Sequence, residues 1–338
     1  MKQTTIKDIA RRLGINHATV SRAINNDPHI SKATKARVLE TAAEMHYSPN
    51  TAARSLVGAK RTSTIAVVTP AYFSVYSADV MAGIEPEIMK TNYELDYYTT
   101  RRFTIFGTAG RDVIVFEKIL GERRADALIS ISGNVVGNPG ILERYKKAGI
   151  HVIFVEGKGE WGHRVHYDNA QAAVMAVNHL VERGRKRIGM LIGNTGNVES
   201  YRERLEGFKK AMHTHGLKAD GSNVFSYLEL GPGLHKSALN FFLEKKIDAV
   251  YVGAGEFNAL RLYEEAGKMG IKFPDDIALV SQDDMRISSA AGFTSVRQPV
   301  IEMGMKAVEI AVRAIETKDM KTMYDETFYP ELIVRRST

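Results

Sequence analysis

Residues 5–26 read TIKDIARRLGINHATVSRAINN, and this stretch decides the architecture of the N-terminal part of the chain. Thr5 suits the N-cap of a helix running from Ile6 to Leu13. Ile6, Ile9, Ala10 and Leu13 fall at i, i+3, i+4 and i+7, a single apolar stripe. Gly14 then permits a sharp turn. A second helix is expected from Asn16 or His17 to about Asn25, burying Val20, Ala23 and Ile24. Two short helices joined around a glycine make a helix-turn-helix, whose second helix enters the major groove of DNA.

The exposed positions at the start of that second helix are His17, Ala18 and Arg22. Arg22 can grip guanine O6 and N7 with two parallel bonds, and Ala18 can touch a thymine methyl. Thr5, Thr19, Ser21, Asn25 and His29 suit phosphate oxygens, which fix register without reading sequence. A third helix follows, capped by Ser31, with Val38, Ala42 and Met45 on one face. Pro49 ends it, and Asn50 can cap a short further helix that is too short to be stable alone.

Charge supports the same reading. Up to Arg61 the chain holds 11 Lys and Arg against 4 Asp and Glu, which accounts for the whole net charge of +7. A basic head on a neutral body is the footprint of a protein whose head meets phosphate. At 338 residues the chain has room for two or three domains. It has no cysteine, which removes disulfides, thiol catalysis and Cys-based zinc sites together. No apolar run reaches membrane-spanning length, and MKQTTIKDIARR lacks the apolar core of a secretory signal. A cytoplasmic protein is expected.

From Thr64 onward, short apolar runs alternate with helical stretches. Strands are expected at Thr64–Thr69, Asp126–Ile131, His151–Val155, Arg187–Ile192, Asp248–Val252 and Ile277–Ser281. Near-continuous β-branched runs between helices indicate parallel sheets covered on both faces, and the span is long enough for two lobes.

Here a resemblance becomes specific. TIKDIARRLGINHATVSRAINN (5–26), ISKATKARVLETAAEMHYSPN (30–50) and ARSL (53–56) resemble the head of the lactose-repressor (LacI/GalR) family of bacterial regulators. More loosely, GRKRIGMLIG (184–193), RLEGFKKAM (204–212), FPDDIALVSQDD (273–284), FTSVRQP (293–299) with the following Met303-Gly304, and PELIVRRST (330–338) resemble its body. The resemblance implies a helix-turn-helix head over 1–48, a hinge helix and linker over 49–61, and a two-lobed body over 62–338 like periplasmic binding proteins. It puts one lobe at about 62–164 and 295–326, the other at about 165–294 and 327–338. It assigns base reading to His17, Ala18 and Arg22, and makes Leu56 a wedge in the minor groove, with Asn50, Ala53 and Arg54 beside it. An apolar wedge of that kind unstacks a base step and kinks the duplex.

By the same resemblance a small effector, a sugar or related metabolite, sits between the lobes. Arg204 and Asp283 match positions that bind its polar edge, a donor fork beside an acceptor pair. Tyr72, Phe73 and Tyr76 follow the first strand, where the family lines its pocket. Trp161 and Glu256 complete the effector candidates. Three positions depart from the family pattern: Pro70-Ala71-Tyr72-Phe73 after the first strand, Glu156-Gly157 after the fourth, and Ala254-Gly255 where the family carries an Asn-Asp pair.

The expectation is a homodimeric transcriptional regulator, a repressor bound to a pseudo-palindromic duplex, with no catalytic residue, metal or cofactor. The alternative is a cytoplasmic solute-binding protein or sugar-processing enzyme with an incidental basic N-terminus. Two other signals are weak. Gly157-Lys158-Gly159-Glu160-Trp161-Gly162 fits a dinucleotide fingerprint, yet an extended stretch rather than a helix should follow it. His163, His166 and Asp168 could suggest a metal, but in a strand His163 and His166 point to opposite faces.

Overall fold

The computed structural model describes residues 4–24, 27–45, 47, 63–69, 75–100, 111–131, 139–157, 159–196, 198–228 and 231–338. Residues 1–62 and 63–338 are two separate compact units.

In the first unit, α1 (Ile6–Leu13), α2 (His17–Ile24) and α3 (Lys32–Glu44) surround a small core of Ile9, Ala10, Val20, Ala23, Val38 and Ala42. Ile9, Val20 and Val38 are fully buried; each such side chain contributes about 1.5–3 kcal/mol. Thr5 caps α1 in a reciprocal box: its hydroxyl accepts from the Asp8 amide, and the Asp8 carboxylate accepts from the Thr5 amide. Gly14 ends α1 in the left-handed region at φ 65°, which a side chain would disfavour. Asn16 Oδ1 accepts from the Ala18 amide at 2.8 Å, so the turn hands directly into α2. Ser31 caps α3 by accepting from the Thr34 amide at 3.2 Å.

The second unit holds two sheets. The first is formed by β1 (Thr64–Thr69), β2 (Glu94–Thr99), β3 (Ala127–Ile131), β4 (His151–Val155), β5 (His163–Tyr167) and β11 (Asp325–Phe328), in the order β11-β5-β4-β3-β1-β2. All its pairings are parallel. The second is formed by β6 (Ile188–Ile192), β7 (Val224–Ser226), β8 (Ala249–Val252), β9 (Ala278–Asp283), β10 (Thr294–Arg297) and β12 (Glu331–Ile333), in the order β12-β10-β9-β8-β6-β7. Here the edge strand β12 runs antiparallel to β10.

The helices of this unit are α4 (Val75–Ile88), α5 (Arg111–Glu122), α6 (Pro139–Ala148), α7 (Asn169–Glu182), α8 (Glu199–Thr214), α9 (Leu234–Glu244), α10 (Glu256–Lys268), α11 (Arg286–Ala291) and α12 (Val300–Thr317). One continuous core runs through both lobes, from Ile65, Val67 and Ile129 to Met190, Val280 and Val296. Separate clusters cover the outer face of each sheet.

The chain passes between the sheets three times: after Tyr167, after Arg297 and after Phe328. The breaks drawn at 165 and 295 fall within β5 and β10, whose backbones keep pairing for two or three residues more. Strands β3, β6, β8 and β9 begin one residue later than expected; at the first three, Asp126 and Asp248 close the strand entrances. Their carboxylates accept from the amides of Ser63 and Arg187 at 2.7 and 3.1 Å. β9 runs on to Asp283, which carries that side chain to the carboxyl edge of its sheet. Gly157, Gly159 and Gly162 are followed by β5, not by a helix.

Candidate functional site

Two surfaces carry the candidate chemistry. On the first unit, burial of Val20 and Ala23 turns the opposite face of α2 outward. His17, Ala18 and Arg22 are exposed on it, with Thr19 and Ser21 half-buried. Thr5 and His29 are exposed as well. His29 Nδ1 lies 2.9 Å from Oδ1 of Asp27, whose carboxyl is held below its usual range by the backbone and side-chain bonds from His29. Asn25, Asn50, Ala53, Arg54 and Leu56 lie outside the described residues, as do Tyr72 and Phe73.

The second surface is the cleft between the lobes, at the carboxyl ends of the strands, where ligands of open α/β sheets bind. Glu156 follows β4, Gly253 follows β8 and Asp283 ends β9. Arg204, on α8, is buried among them. Its Nε donates to Asn169 Oδ1 at 2.8 Å, Nη1 to the Gly253 carbonyl at 2.9 Å and Nη2 to Gln298 Oε1 at 3.3 Å. Nη2 also lies 3.6 Å from Asp283 Oδ1. The guanidinium is thus fixed on several sides, and Asp283 is left with acceptor capacity. Burial raises the Asp283 carboxyl above its usual range, against the pull of Arg204.

Tyr76, near the start of α4, faces this group from the first lobe. Its Oη is buried and has no hydrogen-bond partner. Burial first, then the charges of Glu156 and Asp283, push the phenol well above its ordinary pKa. One turn on, Asp79 is buried and accepts from exposed Arg286 of the second lobe at 3.2 Å, an ion pair across the cleft.

The structure therefore brings Tyr76, Arg204 and Asp283 together. It does not bring Trp161 or Glu256 to them. Trp161 packs on the outer cluster of the first sheet, with its Nε1 buried. Glu256 caps α11: its carboxylate accepts from the amides of Ile287 and Ser288 at 3.2 and 2.9 Å.

Four cleft residues escape the sequence reading: Glu156, Asn169, Glu203 and Gln298. Glu156 accepts from the Tyr167 amide at 2.7 Å and from Asn169 Nδ2 at 3.1 Å. Burial pushes its carboxyl up to about 7, opposed by the Asn169 bond and Arg204 and reinforced by Glu203. The same Asn169 Nδ2 donates to Glu203 Oε2 at 3.2 Å. Glu156 was visible as a departure from the family pattern, and that was the signal to follow. The departure at Ala254-Gly255 also acquires a reason. Gly255 sits at φ 93°, and a Cβ there would stand 2.7 Å from Asp283 Oδ2, so no side chain fits while Asp283 holds its place. Among the described residues, no group of three or more His, Asp or Glu side chains is placed to hold a metal. None of the described helices is long and apolar enough to cross a membrane.

A helical head with an exposed basic reading helix, joined to two α/β lobes around a polar cleft, defines a DNA-binding regulator with a periplasmic-binding-protein-like body. Comparison with known families agrees. Residues 5–50 match the lacI family of bacterial regulatory proteins, and residues 177–338 match the periplasmic binding protein-like domain. The chain is 28% identical to catabolite control protein A of Priestia megaterium, covering 91% of this chain and 92% of that protein. It is 25% identical to the HTH-type transcriptional repressor PurR of Photobacterium profundum, covering 98% of both. It superposes on a lac repressor dimer bound to operator and the anti-inducer ONPF with a TM-score of 0.84 at 20% identity, covering 100% and 99% of the two chains. The head is a lacI-family DNA-binding module, and the protein is a DNA-binding transcriptional regulator.

Proposed function

We propose that this regulator is a repressor that acts as a homodimer on a pseudo-palindromic operator, under the control of a small polar effector held between its lobes. The observation that carries the reading is the exposed row His17, Ala18 and Arg22 on α2, set over a buried core. In this reading those three contact bases, while Thr5, Thr19, Ser21, Asn25 and His29 contact phosphate. Residues 1–48 form the reading head and 49–61 the hinge, in which Asn50, Ala53 and Arg54 flank Leu56 in the minor groove.

In this reading Tyr76, Arg204 and Asp283 contact the effector, and Tyr72 and Phe73 are assigned to the same site. The polar lining suits a polyhydroxylated metabolite. An effector that favours one lobe arrangement changes the spacing of two hinges in a two-fold dimer, which links effector and operator thermodynamically. Such a protein acts in the cytoplasm, where its DNA is.

Selection of bound duplexes from a random pool tests this, at stated salt and without effector. The expected result is a pseudo-palindrome with a central pyrimidine–purine step, the step that kinks most readily. Duplex binding that is absent at every salt concentration, with or without metabolite pools, sinks the reading.

A further inference from the structure

We propose that Arg204 couples effector occupancy to the lobe hinge, because its guanidinium is bonded to two of the three points where the chain crosses between lobes. The inference rests on the effector-site reading above and names how that site is regulated. Asn169 stands two residues past Tyr167, the start of the first crossing, and accepts from Arg204 Nε at 2.8 Å. Gln298 directly follows Arg297, the start of the second, and accepts from Nη2 at 3.3 Å. Gln298 is also the backbone joint of that crossing. Its amide donates to the Asp283 carbonyl of the second lobe at 3.1 Å, and its carbonyl accepts from the Val300 amide of α12 at 2.8 Å.

The row of contacts continues into the first lobe. Glu156, after β4, accepts from Asn169 Nδ2 at 3.1 Å and from the Tyr167 amide at 2.7 Å. Glu156, Asn169, Arg204 and Gln298 therefore form one unbroken row of side chains from the first lobe to the second crossing. The crossings also touch one another directly. Tyr167 Oη donates to the Arg297 carbonyl at 3.0 Å, and the Asp168 amide donates to the Phe328 carbonyl at 2.9 Å. Those ties join crossing to crossing and bypass the effector residues. Arg204 differs, because its Nη2 also lies 3.6 Å from Asp283 Oδ1. A guanidinium has more N–H groups than the three bonded here, so donors remain on Nη1 and Nη2 for a ligand beside Asp283. The fork is planar and rigid, so a ligand that turns it shifts both crossings at once. Gln298 is the positioning residue of the second link.

The test uses the full-length protein with spin labels on Met89→Cys and Met269→Cys, one in each lobe, and labelled chains diluted in unlabelled ones. Gln298→Met keeps the side-chain volume and removes the acceptor for Arg204. It should broaden or lengthen the label distance distribution, and Gln298→Ala, which adds no bulk, should do the same. Gln298→Glu keeps an acceptor there and should leave the distribution as in the parent. Tyr167→Phe cuts a direct tie between crossings but spares Arg204, so its effect should be the smaller. Operator affinity gives a second readout, which a purely structural role would not move. The duplex recovered by selection binds one lobe arrangement, so a spread over arrangements lowers the competent fraction. Gln298→Met should weaken that duplex about two- to tenfold and leave a random-sequence duplex unaffected.

Distributions that match the parent in both Gln298→Met and Gln298→Ala overturn the inference. So does a Gln298→Glu distribution as broad as theirs, or a Tyr167→Phe distribution broader than theirs, since the direct ties would then set the lobe angle. A broadened distribution with unchanged operator affinity overturns the regulatory link. Duplex selection separates the two failures. A recovered operator with unchanged distances removes only this inference, whereas absent duplex binding removes the regulatory reading itself.

Discussion

Asn169 Oδ1 accepts from Arg204 Nε at 2.8 Å while the same amide donates to Glu156 and Glu203. One neutral side chain, at the first turn after the chain enters the second lobe, thereby orients a buried cation and two carboxylates. Asn169→Ala removes one hydrogen bond from each of the three, while Arg204 keeps Gly253 and Gln298 and Glu156 keeps the Tyr167 amide. A hydrogen bond to a charged group contributes about 1.5–3 kcal/mol. Urea unfolding followed by tryptophan fluorescence of Trp161 should show a loss of that order. A loss below about 1 kcal/mol would mean that the network reorganises around water.

The charge state of Glu156 governs the pH response of the same region. Its folded pKa lies near 7, above the ordinary 4.5, because burial penalises the carboxylate. A raised folded pKa gives stability that is complete below the unfolded value and lost as pH rises through the folded one. The charged and titratable groups around Glu156 include Arg204, Glu203 and Glu199 on α8, Tyr76 on α4, and Arg164, His166 and Tyr167 on β5. Glu156→Gln mimics the protonated form, so it should be about neutral at pH 5 and stabilise by a few kcal/mol at pH 8, each tenfold change in proton affinity being worth roughly 1.4 kcal/mol. Equal effects at both pH values would contradict the buried carboxyl.

Asp79 and Arg286 join the lobes across the cleft at 3.2 Å. Arg286 is 84% exposed, so the pair contributes under about 1 kcal/mol to unfolding stability. Its effect should fall on lobe separation instead. The chain lacks cysteine, so spin labels attach cleanly to Met89→Cys in one lobe and Met269→Cys in the other. Arg286→Ala should lengthen or broaden the label distance distribution with little change in melting temperature. An unchanged distribution would show that the pair does not restrain the lobes.

The head was readable in detail from spacing alone. Ile9, Val20 and Val38 sit where the 3.6-residue period requires, and Thr5, Gly14 and Ser31 punctuate the helices as their chemistry dictates. The central strands were readable because they are continuous apolar runs. β2 was not, since its exposure pattern is that of a half-solvated edge, and β7 and β12 are three residues each. In the cleft, Arg204 and Asp283 were reached through motif resemblance. Asn169 and Glu203 carry no motif: each is one polar residue in a helix, and only the crossing of two chain segments brings them together. The bonds Glu256 makes to the amides of Ile287 and Ser288 were not legible, because a buried carboxylate serves a helix N-terminus as readily as a ligand.

On the head, Arg22 is exposed at the reading face of α2. Arg22→Ala should cost about 1–3 kcal/mol on the selected operator and relax preference at one base position in each half-site. Lys7 is exposed on α1 of the same basic head and is not among the base-reading residues, so Lys7→Ala should weaken all duplexes about equally and flatten the salt dependence. Competition binding against single-base variants of the selected duplex distinguishes them. A uniform loss from Arg22→Ala would reassign that side chain to phosphate.

The first lobe carries an acid-sensitive pair of opposite sign to Glu156. The Tyr324 amide donates to His163 Nδ1 at 3.1 Å, so His163 Nε2 bears the hydrogen and donates to His151 Nδ1 at 3.2 Å. Protonating His163 on Nδ1 would place a hydrogen against that amide, and burial with His151 nearby depresses its pKa to about 4. A depressed folded pKa gives stability that is present above the ordinary value of 6.5 and lost as pH falls towards and through 4. His163→Asn cannot titrate, so its melting temperature should fall less than that of the parent between pH 6.5 and 4, although it starts lower. Because Glu156 weakens the same unit as pH rises towards 7 and beyond, the parent should be most stable in the mildly acidic range between those limits. Glu156→Gln should move that optimum upward and His163→Asn should extend it downward. If the two variants shift the optimum in the same direction, the two groups do not titrate as their burial requires.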